Sequence, residues 1–108
     1  MPVQAKLSTA AMGLLCSLAA WTAGAQTPPP AAGSCAVCHG FQGIAMAPDA
    51  PHIAGQPAMY LVAQLKAYRS GQRKHEVMSV MAKNLSDADL DGVAQWYSSQ
   101  RIKLESAP

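Results

Sequence analysis

Two cysteines three positions apart, with a histidine directly after the second, constrain this chain more than anything else in it: Cys35-Ala36-Val37-Cys38-His39. On one turn of helix both thiols face the same way. They can reach the two vinyl groups of one haem and hold it by thioether bonds, the C-x-x-C-H pattern of c-type haem attachment. His39 then directs its imidazole at the iron. A chain built this way must wrap a large apolar group.

The size of the chain agrees with that demand. Lys6 makes a weakly positive start, Leu7 to Ala20 is an apolar run, and Ala23-Gly24-Ala25 is a small-residue cleavage site. Residues 1–25 therefore read as a secretory signal peptide, with Gln26 as the new N-terminus and a periplasmic destination. The run is too short and too rich in Ala, Ser and Thr for a membrane span. An uncleaved anchor is the alternative. Lipid attachment at Cys16 is set aside because Leu15 stands where a small residue is needed. Removing residues 1–25 of 108 leaves 83, a length at which domains usually recruit a disulfide, metal or cofactor. A Cys35–Cys38 disulfide closes too small a loop to help, whereas a haem supplies an apolar centre. Without Lys6, seven Lys and Arg face six Asp and Glu, which is no nucleic-acid footprint.

Residues 26–34 form a Pro- and Ala-rich tail, with any helix starting near Ala31 or Ala32. Cys35 to Gly40 is expected as a short helix. Phe41 to Gly55 holds Gly43, Pro48, Pro51 and Gly55 and reads as a loop, apolar enough (Phe41, Ile44, Met46, Ile53) to lie over a buried cofactor. A helix is expected over Pro57 to Ser70, with Pro57 in its first turn and Gly71 after its end. Its stripe is Leu61, Leu65 and Tyr68, widened by Met59, Tyr60 and Val62. Gly71 to Asn84 reads as a loop and short turn. Ser86 caps a last helix, with Asp87 and Asp89 in its first turn, although a strict capping box has Glu or Gln in place of Asp89. Leu90, Val93, Ala94 and Tyr97 make its buried stripe, Trp96 widens it, and Arg101 and Lys103 sit at its C-terminal end. No strand-like alternation occurs, so the class is all-α, one domain over residues 35–103 with a 104–108 tail.

An iron held by His39 takes a second ligand or keeps an open position. Met is the common partner in electron carriers and raises the potential. Met46 is too near His39 to cross to the other face, and Met59 is expected to pack. Met78 is the first choice and Met81 the second, with core filling the alternative use of either. The other nitrogen of a ligating imidazole normally donates to an oxygen, and the Pro51 carbonyl is the acceptor expected here. His52 and His75 are rival ligands that read as solvent-exposed.

The segments Pro51-His52-Ile53-Ala54-Gly55-Gln56-Pro57, Tyr60 to Leu65, Tyr68 to Arg73, Met78 to Asp89 and Ala94 to Gln100 together resemble the class I cytochromes c of the c4/c553 type. The resemblance covers about Cys35 to Gln100. It implies a small helical fold around one covalent haem c, His39 and Met78 as axial ligands, Pro51 beside the proximal histidine, and periplasmic electron transfer. One haem motif makes the chain similar to a monohaem c553 or to half of a dihaem c4 protein. In one respect it departs: the family's N-terminal helix is shortened or absent here, which leaves open how Leu90, Val93 and Tyr97 are covered and whether an apolar patch remains for a partner.

The main functional expectation is a monohaem carrier passing single electrons between redox protein partners, with a membrane oxidase or reductase complex among the candidates. Lys66, Arg69, Arg73, Lys74 and Lys83 would form its basic docking face. The alternative is a dedicated haem c subunit of a periplasmic dehydrogenase or oxidase. An open-site enzyme or sensor lacks an accompanying acid–base constellation. A zinc site lacks a second ligand pair, and a redox dithiol lacks βαβ units.

Overall fold

The computed structural model of the chain describes residues 1–3 and 26–106. The expected signal peptide therefore falls almost wholly outside the described residues, as do the last two residues of the C-terminal tail. Four helices follow in order: α1 (Ala32–His39), α2 (Ala58–Ser70), α3 (Met78–Lys83) and α4 (Asp87–Ser99). No strand occurs among the described residues. None of their helices is long and apolar enough to cross a membrane.

The start of α1 follows from the prolines before it. Pro29 and Pro30 cannot donate, but their carbonyls accept from Ala32 N–H and Gly33 N–H at 2.9 and 3.2 Å, which sets the first turn. The helix has only eight residues and no side-chain cap, so packing must hold it. Ala32 and Ala36 are buried, and Ala31 and Cys35 pack on a cluster of Leu61, Val93, Ala94 and Tyr97. The N-terminal helix is thus short rather than absent.

The apolar stripe of α4 is covered within the chain itself. Leu90 is 0%, Val93 3% and Tyr97 0% exposed. The small side chains of α1 allow close approach. The tail adds Pro29, whose ring carbons lie 3.7 and 3.9 Å from where a Cβ on Gly92 would sit.

Helix α2 packs against both α4 and α3. Pro57 is its N-cap residue, one position earlier than expected, and Gly71 closes it in the left-handed conformation at φ 82°. Only Leu61 of its stripe is buried. Met59, expected to pack, is 87% exposed, and Tyr60 is also exposed. A helix packed on one side buries one face only, and both side chains lie outside that face. The stretch expected as a loop and turn contains a true six-residue helix, α3, with Ala82 buried.

The cap of α4 closes both ways. Ser86 Oγ accepts from Asp89 N–H at 3.1 Å, and Asp89 Oδ2 accepts from Ser86 N–H at 3.0 Å. Aspartate here performs the reciprocal half usually given to glutamate. The far end stops at Ser99, so Arg101 and Lys103 lie beyond the last turn rather than in it. The last carbonyls already have donors: Tyr97 O accepts from Gly55 N–H at 2.9 Å and Gln100 N–H at 3.3 Å, and Trp96 O accepts from Gln100 Nε2 at 3.1 Å.

Candidate functional site

Helix α1 ends in the motif. Cys35 and Cys38 are unpaired thiols, both half-buried, and burial pushes the Cys35 thiol above its ordinary value. His39, 8% exposed, closes the helix. Its Nδ1 lies 2.9 Å from the Pro51 carbonyl. A proline carbonyl can only accept, so Nδ1 carries the proton and donates it. The lone pair then resides on Nε2, the tautomer a metal-binding imidazole requires.

The other two histidines are held in the opposite tautomer. His52 Nδ1 accepts from Ala45 N–H at 2.8 Å. His75 Nδ1 accepts from Val77 N–H and Met78 N–H at 3.1 and 3.2 Å. Backbone amides only donate, so in both rings the proton sits on Nε2 and neither nitrogen offers a free lone pair. Both rings are exposed. Of the three histidines in the chain, His39 alone presents a ligand.

A loop wrapped around its own backbone positions Pro51. The Cys38 carbonyl accepts from Met46 N–H (2.7 Å) and Ala47 N–H (3.2 Å), and the Gly43 carbonyl accepts from Ile53 N–H (2.8 Å) and Ala54 N–H (3.1 Å). These bonds fold the segment after the motif back so that Pro51 returns beside His39. Two glycines make the turn possible. Gly40 has φ 71°, and a Cβ there would lie 2.5 Å from Ile44 O. Gly43 has φ 78°, and a Cβ there would lie 2.5 Å from Ala54 N.

Two aromatic side chains from α4 tie this loop to the core. Tyr97 Oη donates to the Gly40 carbonyl at 2.9 Å, and Trp96 Nε1 donates to the Phe41 carbonyl at 2.6 Å. Burial pushes the Tyr97 phenol up to about 12, with a smaller push from the Cys35 thiol. These anchors were not foreseen from the sequence. They join residues more than fifty positions apart, and the stripe pattern marks Tyr97 as apolar core without showing where its hydroxyl goes.

Met78 opens α3 and Met81 follows one turn later, both half-buried. Among the basic residues, Arg69 is committed internally. It donates to the Leu85 carbonyl at 3.0 Å and pairs with Asp87 at 2.7 Å. Arg73 lies 4.7 Å from the Tyr68 ring centroid and donates to Gln64 Oε1 at 2.7 Å. The exposed charge of the expected basic face is carried by Lys66, Lys74 and Lys83, with Arg73 exposed but held against Tyr68 and Gln64.

These residues fit a covalent haem. Two unpaired thiols stand one turn apart, an imidazole beside them has its Nε2 lone pair free, and exposed apolar side chains lie on the loop (Phe41, Ile44, Met46) and on and before α3 (Val77, Val80). Together with the helical fold, this defines a small c-type haem protein.

Comparison with known proteins agrees. The cytochrome c family model matches residues 30–100. Cytochrome c-554(548) of Halomonas halodenitrificans is 48% identical over 71 residues, covering 63% of this chain and 86% of that protein. The thiosulfate dehydrogenase electron acceptor of Thiomonas intermedia is 38% identical over 110 residues, 99% of this chain but 49% of the relative. Cytochrome c4 of Pseudomonas aeruginosa is 37% identical over 73 residues, 68% of this chain and 36% of the relative. The chain spans about half or less of the last two proteins. It belongs to the cytochrome c family, as a class I cytochrome of the c4 type. It binds one covalent haem c and is an electron-transfer protein rather than an enzyme.

Proposed function

We propose that this chain is a periplasmic monohaem electron carrier, exported by cleavage of residues 1–25, in which Cys35 and Cys38 form the haem thioethers and His39 and Met78 are the axial ligands. The bound haem supplies one-electron exchange between ferric and ferrous iron. The chain's own residues do the rest. The observation that carries the reading is the 2.9 Å His39–Pro51 bond. It sets the tautomer, orients the ring and increases the basicity of Nε2. The anchors from Tyr97 and Trp96 keep the turn after His39 from shifting. The thioether of Met78 would favour the ferrous state and hold the potential high. Lys66, Lys74 and Lys83 would offer positive charge to acidic redox partners.

A second reading has support of its own. A relative that aligns with 99% of this chain bears the name thiosulfate dehydrogenase electron acceptor. On that reading the chain is the dedicated haem c partner of a periplasmic dehydrogenase or oxidase. A carrier purifies alone and reacts with several partners, whereas a dedicated subunit co-purifies with one enzyme.

Optical spectra of protein matured in a host with haem c machinery test the ligand set. The expected result is a covalent haem c spectrum with the weak far-red Met–ferric band, unmoved by carbon monoxide after reduction. Met78→Ala should abolish that band and lower the potential. Loss of the band only in Met81→Ala would assign the ligand to Met81 instead.

A further inference from the structure

The imidazole of His75 is unusually placed for an exposed side chain. Its Nδ1 accepts from the amides of both Val77 and Met78, at 3.1 and 3.2 Å. Helix α3 begins at Met78, and its N-cap residue, Val77, has no side chain able to accept a hydrogen bond. The first amides of a helix have no partner within it. His75 supplies that partner from outside, as a Ser or Asn side chain does at an ordinary N-cap. The arrangement is reciprocal: Ser79 Oγ accepts from His75 N–H at 2.9 Å, and Ser79 N–H donates to the His75 carbonyl at 3.0 Å. His75 is joined to its surroundings by four hydrogen bonds, all to residues 77–79 at the start of α3.

The ring is also braced from α2. Tyr68 meets it edge-on, with centroids 6.5 Å apart and planes at 72°. Tyr68 in turn lies beneath Arg73, whose guanidinium carbon is 4.7 Å from the ring centroid. Arg73 is fixed to α2 through Gln64 Oε1 at 2.7 Å and through its own N–H to the Ala67 carbonyl at 3.0 Å. A path of direct contacts runs from the body of α2, through Arg73, Tyr68 and His75, to the backbone of Met78. Helix α3 is only six residues long, too short to hold its own first turn.

We propose that His75 is the positioning residue for Met78: its Nδ1 clamps the Val77 and Met78 amides and so fixes where the Met78 thioether stands. This rests on the assignment of Met78 as the sixth ligand. His75 touches no iron in this scheme. It lowers the fraction of time in which Met78 swings away.

The test uses holoprotein carrying His75→Ala, His75→Asn and, separately, Met78→Ala. Asn keeps a side-chain acceptor suited to an N-cap, so it should rescue what Ala loses. In the reduced protein, hydrogen exchange at the Val77 and Met78 amides should speed up about fivefold in His75→Ala, the size expected for a lost cap. Carbon monoxide binding, which requires Met78 to leave, should accelerate by a similar factor. The Met–ferric band should weaken, and His75→Asn should restore all three. If His75→Ala leaves exchange unchanged, the clamp is refuted. If exchange rises but the band and the carbon monoxide rate stay fixed, His75 is only a structural cap and the positioning role is refuted. Survival of the band in Met78→Ala would refute the ligand assignment and the positioning role with it, while the exchange rates would still decide the cap.

Discussion

Replacing Tyr97 with Phe removes one hydroxyl from the core and leaves the ring volume unchanged. The hydroxyl donates to the Gly40 carbonyl at 2.9 Å. That carbonyl also accepts from Gly43 N–H, at a longer 3.3 Å, so it is not orphaned when Tyr97 is lost. The cost at neutral pH should then be near the net value of one hydrogen bond, about 1 to 1.5 kcal/mol. Alkaline pH should erase it. Burial raises the Tyr97 phenol from 10.0 to about 12; the push from the Cys35 thiol vanishes once that sulfur is a thioether, but the larger cause remains. A raised folded value means that the unfolded chain loses its proton first, so the stabilisation is complete below about pH 10 and is lost as pH rises toward about 12. The full span is worth about 2.7 kcal/mol, and roughly half of it is gone by about pH 11. Wild type and Tyr97→Phe should therefore differ by about 1 kcal/mol at pH 7, converge near pH 11, and exchange order above it. Urea unfolding of the two holoproteins at several pH values measures this, because lysines and the other tyrosines cancel in the difference. A gap that stays constant from pH 7 to pH 11 would refute the claim that the folded core holds this phenol neutral.

Three further outcomes follow from the same geometry. Leu90→Ala empties a fully buried position and should cost about 2 to 5 kcal/mol in urea unfolding with an unchanged denaturant slope. Gly43→Ala places a Cβ 2.5 Å from Ala54 N at φ 78°, so the melting temperature should fall by several degrees, corresponding to about 1 to 3 kcal/mol, whereas Gly71→Ala, with open space around its Cβ position, should cost less. The Arg69 guanidinium beside Asp87 holds that carboxyl below its ordinary value; its contribution is present above the normal carboxylate range and disappears as pH falls through it, so Asp87→Asn should flatten the acid side of the stability–pH curve.

The sequence alone determined the C-x-x-C-H spacing, the helical class and most element ends, because each depends on neighbours along the chain. C-x-x-C-H is a local spacing. Gly71 closing α2 and Ser86 opening α4 are local chemistry, and the stripe of Leu90, Val93, Ala94 and Tyr97 is a local period that emerged buried. Pro51 could be named as the acceptor for His39, and its carbonyl does lie within bonding distance. The tertiary structure decided what depends on distant groups meeting. A short α1 and Pro29 cover α4 because alanines and Gly92 permit close approach, which composition does not show. Met59 is exposed although its residue type favours burial, since only the partner helix determines which part of an apolar stripe is covered. Arg69 is tied to the Leu85 carbonyl and to Asp87, and the exposed Arg73 lies over the Tyr68 ring and bonds Gln64, pairings that residue type alone does not show. The tautomers are the clearest case: three histidines look alike in a sequence, and it is the carbonyl beside His39, against the amides beside His52 and His75, that leaves one imidazole free to bind iron.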